Sequence, residues 1–247
     1  MLFYEQWLPV VCDKYGTIIS LIPPPKDRIW ADPFPVEYEG RTFIFIEQQF
    51  QKKNGTLGFI ELFDDLSWSD FTPILETNYH LSYPHVFQNE GVWYMIPETH
   101  ENNKIDLYVC DDFPNIWKFH STLIDTISAV DSTILKHNNT WYLFTSTQKE
   151  GFNSSLSIFY SDTFPSKDWK NHPNNPVTRG KEHSRMGGSF FLDDSNNLIR
   201  PTQSSVKEYG EKLVLNKILT LSKKHYSEEK IKEINPENKL NAVCTHT

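Results

Sequence analysis

The feature that most constrains the fold of this chain is an internal repeat of sixteen residues. Four segments align without gaps, and each runs from an apolar strand through a polar turn into an aromatic-rich strand. The ninth position of every copy is Gly or Asn, residues that accept the positive φ of a tight hairpin turn. Further strand-like segments follow each copy, so that a four-strand unit recurs about every 50 residues. The four copies occupy residues 32–47, 83–98, 131–146 and 188–203.

Four antiparallel strands repeated around an axis are the plan of a β-propeller. We predict an all-β fold, a five-bladed β-propeller of four-stranded antiparallel blades, built as a single domain over residues 1–247. The fifth blade would combine residues 7–22 with the C-terminal strand and close the ring. A four-bladed ring is the alternative, and a β-sandwich is disfavoured because it demands no such period. Weak helical character occurs only at 228–234, ended by Pro236.

Composition and charge exclude several classes of function. The 247 residues carry a net charge of −8, the opposite of the basic footprint that nucleic-acid binding needs. No apolar stretch reaches the length of a membrane span, and the N-terminus lacks the pattern of a signal peptide, so a cytoplasmic location is predicted. The 3 cysteines have no metal-ligand spacing, and we expect no metal and no cofactor.

The repeat also predicts where a site would lie. The first strand of each blade lines the channel of a propeller, so the starts of the four copies should surround one mouth. Loops that converge in this way favour ligand binding. Residues 32, 83, 131 and 188 begin the copies, and the loops before them add further polar and aromatic side chains. The predicted substrate-binding residues are Trp30, His80, Tyr83, His85, Arg185, Arg200 and Gln203.

Three carboxylates are the candidate catalytic groups. Asp32 and Asp131 begin their copies, and two carboxylates facing each other across a channel can share acid–base work on a glycosidic bond. The alternative is that each accepts backbone N–H groups at a strand or turn. Glu98 ends the second copy, and we predict a buried acid with a raised pKa, or else a hydrogen-bonded sheet residue.

Arginine and histidine leave alternatives open as well. Arg185 and Arg200 could hold a phosphate or carboxylate bidentately, or could pair with a neighbouring acid. His80 and His85 lack the spacing of a helical zinc pair, so a hydrogen bond to a ligand is the better prediction for His85.

Several motifs together resemble a known family. They include ADPF at 31–34, HLSYPH at 80–85 and RPTQ at 200–203. The chain resembles, from about Asp27 onward, the N-terminal propeller domain of plant glucosamine inositolphosphorylceramide transferases and its bacterial relatives. That family is distantly similar to five-bladed family-43 glycoside hydrolases.

The second resemblance implies roles for the acids. In the family-43 enzymes a first-blade Asp is the base, a third-blade Asp tunes a pKa and a fourth-blade Glu is the acid. Asp32 and Asp131 match the first two roles by position. Gly187 and Gly188 begin the fourth blade instead of an acid, and Glu182 is a poor match. The general acid is therefore missing from the pattern.

Together these observations predict a carbohydrate-active propeller that acts on a glycosyl group at the channel mouth. Its setting would be the synthesis or modification of a bacterial cell-envelope glycan, with a sugar substrate that can carry phosphate and a partner glycan-biosynthesis enzyme. An enzyme is favoured, with Asp32 as base and Arg185 holding an anionic group. The alternative, favoured by the missing acid, is a non-catalytic sugar-binding module that serves a partner enzyme. A protein-binding scaffold fits the polar, histidine-rich mouth less well.

Overall fold

The computed structural model describes residues 7–13 and 16–236. Nearly all regular structure in these ranges is β-strand, and the one helical segment among them is a 3-10 turn, His100–Asn102. The described part of the chain holds no helix long and apolar enough to cross a membrane. Two compact units are distinguished, Met1–Pro97 with Leu107–His120, and Glu98–Asp106 with Ser121–Thr247. The division passes through the second sheet, and the single domain over 1–247 stays a prediction.

The first unit contains a four-stranded antiparallel sheet made of consecutive strands. Its middle strands are buried on both faces and read as nearly continuous apolar runs, whereas the flanking strands alternate buried and more exposed residues over part of their length. Ile44, Ile46 and Ile60 share one face and pack with Ile22 and Trp30. The order is β3 (Arg28–Tyr38), β4 (Arg41–Phe50), β5 (Thr56–Leu62) and β6 (Thr72–Leu75).

A small N-terminal sheet precedes it. The two antiparallel strands β1 (Val10–Cys12) and β2 (Ile18–Leu21) pair only with each other. Ile22, which directly follows β2, is completely buried against the isoleucine face of the first sheet. This short hairpin therefore covers an apolar face that would otherwise meet water.

The second sheet spans the division between the two units. It is again antiparallel and uses consecutive strands in the order β10-β9-β8-β7. Glu90 and Gly91 form the turn of its first hairpin, both with positive φ, as the ninth position of the repeat predicts. The strands are β7 (Ser82–Asn89), β8 (Val92–Glu98), β9 (Lys104–Asp112) and β10 (Ile116–Asp125).

Two further sheets lie in the second unit. The third sheet runs β11-β12-β13-β14, with β15 also paired to β13, and the fourth runs β16-β18-β19-β20, with β17 also paired to β18. Their first hairpins turn at Asn139 and Asn196, both in the left-handed region. The third sheet comprises β11 (Ala129–His137), β12 (Thr140–Thr147), β13 (Ser155–Ser161), β14 (Lys170–Asn171) and β15 (Thr178–Arg179). The fourth comprises β16 (Arg185–Met186), β17 (Phe191–Leu192), β18 (Leu198–Ser204), β19 (Lys212–Leu221) and β20 (Tyr226–Ile234).

The number of blades differs from the prediction. Across 7–13 and 16–236 there are four blade-like sheets, not five, and the N-terminal strands form a separate two-stranded sheet. Residues 14–15, within the 7–22 segment of the predicted fifth blade, and residues 237–247 fall outside the described residues. The hairpin has two strands, whereas each of the other sheets has at least four, and Ile22 beside it packs on the first sheet.

The helical character predicted at 228–234 is also wrong. This segment is most of β20, which pairs with β19 from Leu213↔Ile234 to Leu221↔Tyr226. Its Glu and Lys residues are helix formers, but they equally suit an edge strand, where charged side chains discourage pairing with other chains. Ladder hydrogen bonds along the whole strand outweigh the local propensity.

Candidate functional site

The starts of the first three repeat copies share an unusual backbone conformation. Asp32, Tyr83 and Asp131 have φ of 50°, 46° and 51°, whereas Gly188 in the fourth copy has φ of 122°. In the first and third sheets the strand register shifts at this point, between Ala31 and Phe34 and between Val130 and Thr133. Bulges of this kind re-aim a side chain, and strained backbone concentrates at functional sites. The first residue of every repeat copy therefore has a positive φ, which changes the direction of its side chain where it has one.

In the first unit, the Asp32 carboxylate contacts the start of the next blade. The Tyr83 backbone N–H donates to Asp32 Oδ2 over 3.1 Å, and the Asp32 residue is 8% exposed. This is the amide-capping role that the sequence left open for Asp32. The general-base role stays a prediction beside it.

His80 occupies a fixed position in the same unit. Its Nδ1 accepts the Gly55 backbone N–H over 2.9 Å, so that the hydrogen of the neutral ring lies on Nε2. Nε2 faces Glu47 Oε1 at 3.4 Å. These contacts engage both ring nitrogens of His80 within the protein, which does not support the substrate contact predicted for it.

Trp30, Tyr83 and His85 are interior residues. Trp30 Nε1 donates to Gln48, the Tyr83 ring packs edge-on against Phe34 at 4.7 Å, and the His85 ring contacts Phe34 as well. None exposes more than 4% of its surface. Their placement supports a packing role and leaves almost no surface for contact with a ligand.

The second unit contains a buried ionic cluster at the start of β11. Arg185 donates from Nε to Asp131 Oδ2 over 2.5 Å and from Nη2 to Asp131 Oδ1 over 3.2 Å. Gln203 Nε2 donates to the same Oδ2 over 2.9 Å and to the Met186 carbonyl over 3.0 Å. Arg185 Nη1 also donates to Asn153 Oδ1. The structure thus brings together three of the predicted residues: Asp131, Arg185 and Gln203.

Glu98 completes the cluster from the end of β8. Its Oε2 accepts the Asp131 backbone N–H over 3.2 Å and lies 3.7 Å from Arg185 Nη2. The side chains of Glu98 and Asp131 are 6% and 2% exposed. Two buried carboxylates therefore share one guanidinium, an arrangement that is costly to desolvate and is stabilised only by its hydrogen bonds.

The two carboxyl groups have pKa values shifted in opposite directions. Burial, together with the neighbouring Glu98 charge, raises the pKa of Asp131 to about 7, although Arg185 opposes the shift. Burial alone would also raise the pKa of Glu98, but a hydrogen bond from His100 and the Arg185 charge outweigh it and leave that pKa below its ordinary range. The raised pKa predicted for Glu98 is therefore wrong. It belongs to Asp131, whose pKa is raised by burial and by the neighbouring Glu98, whereas His100 and Arg185 lower the pKa of Glu98.

Two partly exposed residues, neither of them predicted as a site residue, lie beside this buried cluster. His100 Nδ1 hydrogen-bonds Glu98 Oε1 over 2.9 Å, and Tyr209 lies over Arg185, with 5.1 Å between the guanidinium carbon and the ring centroid. His100 lies two residues after the predicted acid Glu98, and this short spacing is the feature of the sequence that could have indicated a role for it in the site. The Tyr209 contact depends on how the 205–211 loop folds and has no local signal.

Arg200 lies elsewhere and has a structural environment. Its guanidinium is fully buried and donates to both Glu228 oxygens, over 2.8 and 2.6 Å, and to the His183 carbonyl. Tyr226 O–H donates to the same Glu228 carboxylate. The predicted substrate contact of Arg200 is not supported, because this side chain has no exposed surface.

The fourth blade begins differently from the gap-free alignment. Arg185 pairs with Gln203, just as Ala31 pairs with Glu47 and Val130 with Ser146. In the gap-free alignment, Gly187 would occupy the position that Arg185 holds in the structure. Gly187 and Gly188 form a longer irregularity before β17. Glu182, the poor match to a fourth-blade acid, pairs instead with Lys230 at 2.9 Å on the surface.

Within each unit, then, the predicted residues fall into separate groups. The prediction that Asp32, Tyr83, His85, Asp131 and Arg185 surround one opening involves both units, and it stays a prediction. No group of three or more His, Cys, Asp or Glu side chains arranged for a metal ion occurs among the described residues.

Comparison with solved structures identifies the fold. A family 117 glycoside hydrolase of Zobellia galactanivorans superposes with a TM-score of 0.62 at 11% identity, over 85% of this chain and 71% of that one. An α-L-arabinofuranosidase from Podospora anserina has the same TM-score at 13% identity, over 80% of this chain and 66% of that chain. At these identities the likeness shows the fold alone, and it confirms the predicted all-β propeller class.

Sequence comparison gives the family. Curated proteins named glucosamine inositolphosphorylceramide transferase 1 are 33% identical over 205 residues in Oryza sativa subsp. japonica and 34% identical over 209 residues in Arabidopsis thaliana. These alignments cover 80% and 81% of this chain, which spans 27% of the length of each relative. The family described as "Glucosamine inositolphosphorylceramide transferase 1, N-terminal" matches residues 24–243. This match and the motifs at 31–34, 80–85 and 200–203 agree, and the chain belongs to that family.

Proposed function

We propose that this chain is a carbohydrate-active β-propeller that acts on a glycosyl group beside the Glu98–Asp131–Arg185 cluster. Family membership and the glycosidase-like fold support the carbohydrate class. The single observation that carries the proposal is Asp131, a buried carboxyl group on a strained bulge with its pKa raised to about 7.

The physical reason is that such an arrangement lowers the stability of the folded protein. It is therefore expected where function requires it. A carboxylate without a full complement of positive partners is costly to bury, and a non-glycine residue at positive φ adds strain. Strongly perturbed acids are typical of sites that use general acid–base chemistry near neutral pH. The role of Asp131 is to position a group that reacts with substrate, or to tune its pKa, because its own side chain is almost completely enclosed.

Arg185 does not suit the phosphate-binding role predicted for it. Its guanidinium already forms a bidentate pair with Asp131 and lies near Glu98. Its Nη1 also donates to Asn153, so the guanidinium nitrogens are engaged within the protein and are not free to hold a phosphate bidentately. A neutral sugar, which exchanges hydrogen bonds only, fits this cluster better than a phosphate-bearing one.

A second candidate is the non-catalytic sugar-binding module. The observation that favours it is the surface pairing of Glu182 with Lys230, which removes the only carboxylate considered for the fourth-blade acid. The bacterial cell-envelope setting, the partner glycan-biosynthesis enzyme and the cytoplasmic location stay predictions.

Two assays on the same protein test the proposal and separate the candidates. A glycan array measures binding, and a panel of 4-nitrophenyl and methyl glycosides measures turnover. An enzyme turns over at least one glycoside and loses this activity in Asp131→Asn. A module binds glycan without turnover, and Asp131→Asn lowers its affinity. Failure of the wild-type protein both to bind and to turn over any sugar would contradict the proposal.

A further inference from the structure

We infer that His100 is the proton donor of the glycosyl reaction, acting through Nε2 in place of the missing fourth-blade acid. This inference rests on the proposed function, because it assigns a catalytic residue to that reaction. The carboxylates of the cluster are buried, so a substrate needs a proton donor that lies closer to solvent.

His100 is a titratable side chain that links the buried cluster to solvent. Its side chain is 31% exposed, whereas that of its hydrogen-bond partner Glu98 is 6% exposed. A carboxylate only accepts hydrogen bonds, so Nδ1 carries the hydrogen that donates to Glu98 Oε1 over 2.9 Å. Nε2 has no hydrogen-bond partner among the residues described, and it is the atom that can give a proton to a ligand.

The position of this ring is fixed from several directions. The His100 carbonyl accepts hydrogen bonds from Ser128 Oγ over 3.2 Å and from the Asn103 backbone N–H over 3.1 Å. The ring packs edge-on against Phe152, with 5.8 Å between centroids. Glu98 is itself held by the Asp131 backbone N–H. A proton donor needs such preorganisation, since a misplaced group loses much of its effect.

The charges around the ring suit an acid that works near neutral pH. The hydrogen bond to Glu98 raises the pKa of His100, and the nearby Glu101 acts in the same direction. Burial and Arg185 oppose the shift. The imidazolium form thus persists to higher pH than for a free histidine, which matches the requirement that the acid be protonated at the operating pH.

The reaction balances with water or a hydroxyl-bearing acceptor as the second reactant. The bond between the anomeric carbon and the leaving oxygen breaks, and its electron pair stays on that oxygen, which receives the Nε2 proton. The oxygen of the water or acceptor forms the new bond to the anomeric carbon. The proton that it loses passes to bulk water, which returns the imidazole to its protonated form.

The leaving group provides the test. Methyl glycosides need protonation of a poor leaving group, whereas 4-nitrophenyl glycosides carry a good one. We expect His100→Gln to lower kcat for the methyl glycoside by about 10²- to 10⁴-fold, the usual worth of general acid catalysis. The loss of kcat for the 4-nitrophenyl glycoside should be far smaller, and the affinity for glycan should be unchanged. His137→Gln, at the last residue of β11, is the matched control and should leave both rates unchanged.

Other results would overturn the inference. Equal losses on both substrates, or no loss on either, would show that His100 is not the acid while leaving the proposed function intact. Glycan binding by the wild-type protein without any turnover would also overturn it, in favour of the sugar-binding module. A wild-type protein that neither binds nor converts sugar would reject the proposed function itself.

A second variant keeps the test valid if His100→Gln does not fold. Glu98→Gln retains the imidazole but removes the charge that favours its protonated form. The alkaline limb of the kcat/KM profile against pH should then shift to lower pH. An unshifted limb in a folded Glu98→Gln protein would overturn the assignment.

Discussion

Arg185 holds Asp131 through two hydrogen bonds, from Nε over 2.5 Å and from Nη2 over 3.2 Å, with Glu98 as a second carboxylate beside the same guanidinium. One positive charge thus serves two buried acids. Such a cluster binds a proton more readily than an isolated ion pair does, so a substitution of Asp131 should affect both function and the dependence of stability on pH.

Asp131→Asn should leave the protein folded but impair function. The amide keeps the shape of the neutral acid, and Arg185 retains Glu98 and Asn153 as partners. We expect turnover to fall on the order of 10²-fold, or glycan affinity to fall if the protein is a module. Asp193→Asn is the control, because Asp193 accepts its hydrogen bonds from Ser195 and Asn197 of its own hairpin turn. Wild-type activity in a folded Asp131→Asn protein would contradict a functional role for this carboxyl.

The same variant should change how stability depends on pH. The folded-state pKa of Asp131 is about 7 and its ordinary value is 3.8, so the folded state binds this proton more tightly than the unfolded state. The resulting stabilisation is complete below the ordinary value and is lost as pH rises towards about 7. The pKa of Glu98 is lowered, so its contribution is present above 4.5 and is lost as pH falls.

Urea unfolding at a series of pH values measures this effect. The wild-type protein should lose unfolding free energy between about pH 5 and pH 7 relative to Asp131→Asn. Parallel curves for the two proteins would show that Asp131 does not titrate in this range.

The buried pair of Arg200 and Glu228 should be a stability determinant without a role in function. Glu228→Ala leaves a fully buried guanidinium without its carboxylate and should cost about 3–5 kcal/mol of unfolding free energy. The matched control is Glu61→Ala, which breaks the ion pair of an exposed Arg41 and should cost much less. A similar loss for both variants, measured by denaturant unfolding, would contradict the burial argument.

Gly187→Ala should disturb the site through the backbone. An added Cβ would lie 2.8 Å from the Thr202 carbonyl carbon and 3.0 Å from the Gln203 nitrogen, and neither backbone atom can move freely. We expect displacement of β16 from β18, with lower melting temperature and lower activity. Gly91→Asn is the control: it has open space at a hairpin position where Asn139 and Asn196 occur in other blades. A fully active Gly187→Ala protein would show that this contact is unimportant.

Two substitutions separate the roles of Asp32. Asp32→Asn removes the charge but keeps an oxygen that can accept the Tyr83 N–H, whereas Asp32→Ala removes both. If Asp32 is the general base, both variants lose turnover, and only Asp32→Ala also loses about 1 kcal/mol of stability. If it is only a cap, Asp32→Asn retains turnover and melting temperature. Turnover and thermal unfolding of the two variants decide the matter.

The sequence by itself determined the fold class and the repeating unit. Gly or Asn at one position of each copy, between two apolar runs, is enough to specify a hairpin, because turn geometry depends on neighbouring residues. The copies therefore predicted four blades directly. The fifth blade could not be derived in this way, since residues 7–22 carry no copy of the repeat and their burial on the first sheet depends on distant isoleucines.

Asp131 and Glu98 could be named from their repeat positions, but only the tertiary structure decided their charges. Burial and the shared Arg185 guanidinium, which help to set the two pKa values, depend on distant segments of the chain, whereas the hydrogen bond from His100 to Glu98 is local. Arg185 and Arg200 look equivalent in sequence, yet one adjoins the bulge at Asp131 and the other pairs with Glu228 inside the fourth sheet. The local sequence pattern determines where a strand begins and where a hairpin turns, whereas the pKa of a buried side chain depends largely on which distant groups it meets after folding.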